Sequence, residues 1–258
     1  MRGPVSADTR WLRRFRAAEH APVRLVCFPH AGGSAGFYFP FAQALTPDAE
    51  VIAVQYPGRQ DRLNEPGVDD IGRLADGVLG ALLPSLDERP LALFGHSMGA
   101  VVAYEAARRL EHEFRAAPAL LFASGRRAPC RHRDEYTHLK NDAGLMAELR
   151  ELGGTNADLL AEEGLLRMFL PAVRVDYRAI ETYRHRSGPE PSCPIAVLTG
   201  AEDPKVTLDE AADWRHHTTG ECTLDVFPGR HFFLTDAAED VVRLVTGRLR
   251  RLAPGAVR

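Results

Sequence analysis

A serine set between glycines invites nucleophilic chemistry. The stretch Gly95-His96-Ser97-Met98-Gly99 fits the pattern G-x-S-x-G. It follows the apolar run LALF and opens MGAVVAYEAARRL, an uninterrupted helix-forming segment. A nucleophile elbow requires that strand–turn–helix setting, because the sharp turn exposes the serine hydroxyl at the end of the strand. The flanking glycines remove side chains that would clash in so tight a turn. The pattern alone is weak, and a glycine-rich turn with an incidental serine is the competing reading. The flanking strand and helix favour a nucleophile at Ser97.

A serine hydroxyl needs a base to take its proton. In elbow folds the chain order is serine, then acid, then histidine. The late histidines are His216, His217 and His231. The first two lie in the polar stretch DWRHHTTG and are expected to be solvated. His231 follows the strand-like TLDVF and the turn Pro228-Gly229-Arg230, where the base belongs; its alternative is a histidine packed beside Phe232 and Phe233. Asp203 follows IAVLTG and precedes Pro204, in the right place to orient the imidazole and stabilise its cation. Glu202 is its nearest rival, while Asp209 and Asp213 fall on a helical stretch and are expected to face water. Two backbone donors must meet the oxyanion. Met98 supplies the amide after the nucleophile, and Ala31 the amide in the early loop PHAGG. His30 is expected to orient that loop rather than serve as a second base.

The elements that must hold these residues can be read from apolar runs. Arg24–Phe28, Val51–Val54, Leu91–Phe94, Ala119–Ala123, Ile195–Leu198 and Thr223–Phe227 are expected strands. Helices are expected over Phe37–Leu45, Ile71–Leu83, Met98–Leu110 and roughly Ala237–Leu252. Short strands without strict alternation suit a sheet covered on both faces. Strand and helix alternate along the chain, which predicts an α/β fold with a doubly wound, mostly parallel sheet: the α/β-hydrolase fold. The stretch between Ser124 and Ile195 breaks the pattern. Helices over Asn141–Leu152, Asn156–Phe169 and Ala172–Tyr183 are expected there, since so long a structureless loop is improbable. The expectation is one domain over 1–258, with a helical lid inserted at about 128–188. The first few residues and the tail after Leu252 are expected to be disordered.

Composition sets the outer limits. The chain has 258 residues, 45% of them hydrophobic and 26% charged, enough for a large core without disulfides. Its net charge of -3 argues against a generally basic nucleic-acid binder. No run approaches membrane-spanning length, and the N-terminus lacks the apolar stretch of a signal peptide. The four cysteines form no CxxC pair and no zinc-type spacing. A cytoplasmic, reducing setting is expected.

The chain resembles the type II thioesterases, stand-alone editing enzymes of polyketide and nonribosomal peptide assembly lines. The matching stretches are CFPHAGGSA (27–35), YPGRQDR (56–62), FGHSMGA (94–100), LPAVRVDYRAIETY (170–183), GAEDP (200–204) and PGRHFF (228–233). They span about residues 24 to 250, and their combination is more specific than any one of them. The resemblance implies hydrolysis of acyl thioesters on the phosphopantetheine arm of acyl or peptidyl carrier proteins. It places Ser97, Asp203 and His231 in the triad and the Met98 and Ala31 amides at the oxyanion, with no metal or cofactor. Arg230 departs from the family, which usually has glycine there. Release domains fused to assembly lines usually take their acid just after the next strand, where this chain has Ser124. The acid must then come from the later loop, in keeping with Asp203 and the stand-alone type.

The lid residues Leu145, Met146, Leu149, Leu165, Met168 and Phe169 are candidates for an acyl chamber, against the alternative that they only pack the lid. Lid motion is a candidate gate. Arg126, Arg127, Arg131 and Arg133 are candidates for steering an acidic carrier, or simply a solvated loop. Two rivals remain: an esterase or lipase for small-molecule esters, and a non-catalytic module on the same scaffold.

Overall fold

The computed structural model describes residues 9–18, 20–153, 163–253 and 255. Seven strands form one sheet in the order β1-β3-β2-β4-β5-β6-β7. They are β1 (Leu12–Arg14), β2 (Val23–Phe28), β3 (Ala49–Val54), β4 (Leu91–His96), β5 (Leu120–Ser124), β6 (Ile195–Gly200) and β7 (Cys222–Phe227). All neighbours run parallel except β1, which pairs antiparallel with β3.

The lack of polar alternation in β2 and β3 has a direct cause. Val26 and Phe28 of β2 join the core beneath α2 (Ile71–Leu82) and α3 (Met98–His112), while Leu25 and Cys27 join the core on the opposite face. That second core is completed by α1 (Phe39–Leu45), α7 (Phe233–Asp236) and α8 (Ala238–Arg250). Both faces are dry, so both sets of side chains are apolar. The edge strand β7 differs: Leu224 and Val226 are exposed.

Helix starts follow capping chemistry. The Asp70 side chain accepts the Arg73 amide at 2.8 Å at the head of α2. Asn141 does the same for Gly144 at 2.9 Å at the head of α4 (Asp142–Leu152), which ends on the left-handed Gly153. Thr207 and Glu210 form a reciprocal capping box on α6 (Leu208–Ala212).

Three expectations change. The short strand β1 was not foreseen. Its sequence LRR carries too little apolar signal, and its arginines are held by acids of the body: Arg13 by Asp61, and Arg14 by Glu50 at 2.9 Å. The expected helix over Phe37–Leu45 is a 3-10 turn at Ala35–Tyr38 followed by α1. The helices expected over 156–169 and 172–183 are, from residue 163 on, one continuous α5 (Glu163–Thr182) that runs through Pro171. Residues 154–162 lie outside the described residues, as do 1–8 and the last three.

An interior proline costs a helix about 3 kcal/mol. Packing on two sides of α5 offsets it. Leu170, Val173 and Tyr177 form a cluster with Leu145, Met146 and Leu149 of α4. Other residues of α5 press on loops of the body that carry glycine. A Cβ at Gly32 would stand 2.9 Å from Val173, one at Gly67 2.9 Å from Val175, and one at Gly58 3.5 Å from Ala172. Among the described residues no helix is long and apolar enough to cross a membrane.

Leu145 is fully buried in the α4–α5 cluster. Leu145→Ala is expected to lower unfolding stability by about 2–5 kcal/mol. Urea denaturation measures it, and a loss under about 1 kcal/mol would show that the cluster bears little of the insertion's stability.

Candidate active site

The parallel strands deliver four loops to one end of the sheet. The loop after β2 carries His30 and Ala31, β4 leads into Ser97, β6 into Asp203, and β7 into His231. The Ser97 backbone has φ 55° and ψ -118°, a left-handed conformation rare for a residue with a side chain. Such a residue stores about 1–3 kcal/mol of strain. Its surroundings leave no alternative. The Ser97 amide donates to the Ser124 carbonyl of β5 at 2.8 Å. A Cβ at Gly95 would lie 2.2 Å from the Gly99 carbonyl oxygen, and one at Gly99 2.0 Å from that of Phe28. The glycines allow β2, β4 and α3 to meet at contact distance, and the strained turn follows.

Ser97 Oγ lies 3.0 Å from His231 Nε2. His231 Nδ1 lies 2.8 Å and 3.0 Å from the two carboxylate oxygens of Asp203. A carboxylate only accepts, so Nδ1 carries the proton and Nε2 offers its lone pair to the serine hydroxyl. The Lys205 amide donates to Asp203 Oδ1 at 2.8 Å, which fixes the carboxylate. The Asp203 and His231 side chains are buried, whereas Glu202 and Asp209 are exposed. The geometry therefore brings together the three residues expected from the sequence.

Ala31 lines the same pocket as Ser97 and His231. Met98 opens α3, so its amide sits at the helix N-terminus, where the helix dipole favours a developing negative charge. His30 packs edge-on between Phe37 and Phe232, with centroids 4.7 Å and 4.8 Å away. Burial, the nearby His231 and Arg59 push its pKa down to about 3. A group that weakly basic is a poor proton acceptor at neutral pH. Ser124 is buried against His96, its Oγ 3.0 Å from Nδ1, and contributes no acid.

The pocket holds about 610 Å³, counting its open mouth. Leu149 and Leu152 of α4 form one wall, and Tyr177, Ile180 and Glu181 of α5 another. Of the apolar residues expected to line a chamber, Leu149 does so. Leu145 and Met146 instead pack the insertion, Met168 faces solvent, and the side chain of Leu165 lies outside the described residues.

Three of the four candidate docking arginines are paired with acids. Arg127 is buried against Glu135, Arg131 pairs with Asp213, and Arg133 pairs with Glu210 at 2.8 Å. These acids answer the arginines locally. Arg126 points elsewhere. It lines the active-site pocket, and no described acceptor takes a hydrogen bond from its guanidinium. Burial and the neighbouring Arg127 lower its pKa to about 9, so it remains a cation at neutral pH.

His217 and Asp213 were expected in solvent, but both are buried. Asp213 anchors Arg131, and His217 belongs to a network with Tyr104, His185 and Glu190. Among the described residues, His185, Glu190 and His217 place ligand-type atoms within 4.8 Å of one another. His217 Nε2 already accepts the Cys130 amide at 3.2 Å. The neutral ring therefore carries its proton on Nδ1, the atom 3.6 Å from Glu190, and has no lone pair there for a metal. The cluster is a hydrogen-bonded brace between α3 and the loops beside it.

Comparison with known proteins adds the family. The thioesterase domain model matches residues 23–249. The chain belongs to the thioesterase family. This thioesterase is 53% identical, over 96% of its length and 68% of the relative's, to a probable cadicidin biosynthesis thioesterase of Streptomyces griseus. It is 45% identical to the thioesterase PikA5 of Streptomyces venezuelae, over 98% of this chain and 91% of that one. Its fold is similar to that of BorB, a type II thioesterase from the borrelidin biosynthetic cluster, with a TM-score of 0.88 and 47% identity. That match covers 95% of this chain and 99% of BorB.

Sequence reasoning missed the roles of Arg59 and Asp176, a buried pair behind the Ala31 loop. The available signal was a lone carboxylate in the helical stretch VRVDYRAI.

Buried histidines predict acid sensitivity in this thioesterase. The His217 pKa is lowered from 6.5 to about 4, chiefly by burial and the nearby His185, and His30 is lowered to about 3. Both folded-state values are depressed. Their contribution is therefore full above about pH 6.5 and is lost as pH falls toward 4 and 3. His217 alone is expected to cost about 2 kcal/mol of stability between pH 7 and pH 5. Denaturant midpoints for wild type and His217→Gln measure it, and equal pH slopes in the two would contradict it.

Proposed function

We propose that this thioesterase hydrolyses acyl groups held as thioesters on the phosphopantetheine arm of acyl or peptidyl carrier proteins. Such hydrolysis clears stalled or misprimed chains from polyketide or nonribosomal peptide assembly lines. The observation that carries the reading is the relay from Ser97 Oγ through His231 to Asp203, at 3.0 Å and 2.8 Å.

In the proposed reaction Ser97 Oγ attacks the thioester carbonyl while His231 Nε2 takes its proton. Negative charge gathers on the carbonyl oxygen and is met by the amides of Ala31 and Met98. The C–S bond breaks, the imidazolium returns its proton to the departing sulfur, and an acyl-serine remains. Water then attacks with His231 again as base, releasing the acid and restoring the serine. Asp203 keeps Nδ1 protonated and stabilises the imidazolium through both steps. Arg126 supplies the pocket with free donors for oxygens of the acyl chain or of the pantetheine amides.

The same reading treats 1–258 as one α/β-hydrolase domain carrying a helical insertion at about 128–188. The two dry faces of the sheet and the seating of α5 on the body support that reading. The unpaired cysteines support a reducing, cytoplasmic setting. Hydrolysis of simple oxygen esters would use the same triad. The 53% and 45% identity to named biosynthetic thioesterases favours the carrier-bound substrate.

Exposure to an acyl-pantetheine thioester followed by intact mass measurement is expected to show one acyl adduct, mapping to Ser97. Ser97→Ala should abolish the adduct and lower turnover by at least about 10³-fold, and Asp203→Asn by up to about 10⁴-fold. Unchanged hydrolysis in Ser97→Ala would overturn the mechanism. Faster turnover of a simple oxygen ester than of the carrier-bound thioester would overturn the substrate.

A further inference from the structure

Behind the Ala31 loop lies an ion pair that joins the insertion to the body. Arg59, in the loop after β3, donates Nη1 to Asp176 Oδ2 at 2.7 Å and Nη2 to Oδ1 at 2.8 Å. Asp176 lies on α5, 117 residues away along the chain. The two side chains are 3% and 1% exposed. A buried pair is by itself weak evidence for stability, since desolvation offsets most of the attraction. Its value here must be sought in what else it touches.

It touches the oxyanion loop at two points. Asp176 Oδ2 accepts the Gly32 amide at 2.7 Å, and Arg59 Nη1 donates to the Gly33 carbonyl at 2.9 Å. Between them, the Gly33 amide donates to the His30 carbonyl at 2.9 Å and closes a tight turn. In a trans peptide the N–H points opposite to the C=O. Holding the His30 carbonyl inside the turn therefore aims the Ala31 N–H away from the turn, and Ala31 lines the pocket that Ser97 also lines. The Gly32 amide is already engaged by Asp176 and is not free for a substrate oxygen.

Charge explains why a pair stands here rather than a carboxylate alone. An isolated Asp176 would hold the Gly32 amide but would place a negative charge behind a developing oxyanion. The two-pronged contact from Arg59 cancels that charge without loosening the loop. Gln55 supports the arrangement from below, donating to the Arg59 carbonyl at 3.2 Å and accepting the Ala35 amide at 2.9 Å.

We propose that Arg59 and Asp176 are positioning residues for the oxyanion-binding amide of Ala31, so that seating α5 on the body and assembling the oxyanion hole are one event. The proposal rests on the thioesterase reading of Ser97 and deepens it. In its terms α5 is not a loose cover but part of the scaffold that orients the Ala31 amide.

The test uses the full chain, with Arg59→Lys and Asp176→Asn. It reads kcat and KM on an acyl-pantetheine thioester, and affinity for the matching trifluoromethyl ketone. The ketone adds reversibly to Ser97 and leaves an alkoxide in the oxyanion hole, whereas the thioester ground state does not. The expected result is a fall in kcat of about 10²–10³-fold in either variant, with KM within about threefold of wild type. Ketone affinity should fall by a similar factor. Arg59→Lys keeps the charge and loses only the two-pronged geometry, so it carries the test if Asp176→Asn lowers the folded fraction. Ketone affinity retained in a folded variant whose kcat has dropped would overturn the proposal, and so would wild-type kcat in Arg59→Lys. Failure of the wild-type protein to be acylated at Ser97 is a separate result and would overturn the thioesterase reading beneath it.

Discussion

The structure depends on a backbone that cannot relax at Ser97. A left-handed serine is unfavourable in isolation, and its side chain makes no capping bond to the helix it opens. It is held because β2, β4 and α3 approach so closely that only glycine fits at positions 95 and 99. The latch from the Ser97 amide to β5 closes the last freedom. The apolar sheet therefore does more than stabilise the chain. Its strand spacing sets the position of one hydroxyl oxygen, and the loops after β6 and β7 need only bring an acid and an imidazole to it.

Much of this was legible because the chemistry is local. The elbow shows itself as a strand, a glycine pair and a helix within about twenty letters. The strands that lead to Asp203 and His231 show themselves as IAVL and the strand-like TLDVF, so the loops after them could be located before any contact was known. Interactions that close over long separations were harder to read. Nothing near Arg59 announces a partner at position 176, and nothing in DWRHH announces that His217 turns inward beneath Cys130 while His216 stays out. The helix through Pro171 was misread for the same reason. Proline's local penalty is visible in the sequence, but the packing that outweighs it comes from residues 32, 58 and 67.

Charge follows the same division. Read as letters, RRAPCRHR is a basic patch. In three dimensions Glu135, Asp213 and Glu210 answer Arg127, Arg131 and Arg133, and each acid comes from outside that run. Arg126 stands apart because its side chain enters the pocket, where no described acceptor takes a hydrogen bond from it although Glu135 and Glu181 share the lining.

The glycine sockets beneath α5 give the chamber two unlike sides. On the α5 side, backbone meets side chain with no slack, and a buried charge pair bolts the helix to the loop it shapes. On the α4 side the wall is Leu149 and Leu152, and Glu148 beside them pairs with Lys140 at 2.6 Å and with Lys205 of the loop after β6. On the proposed mechanism a bulkier acyl chain finds its extra room at Leu149 and Leu152, because yielding on the other side would disturb the Ala31 amide. On that mechanism, room for substrate and the setting of the oxyanion amide fall to opposite walls of one pocket.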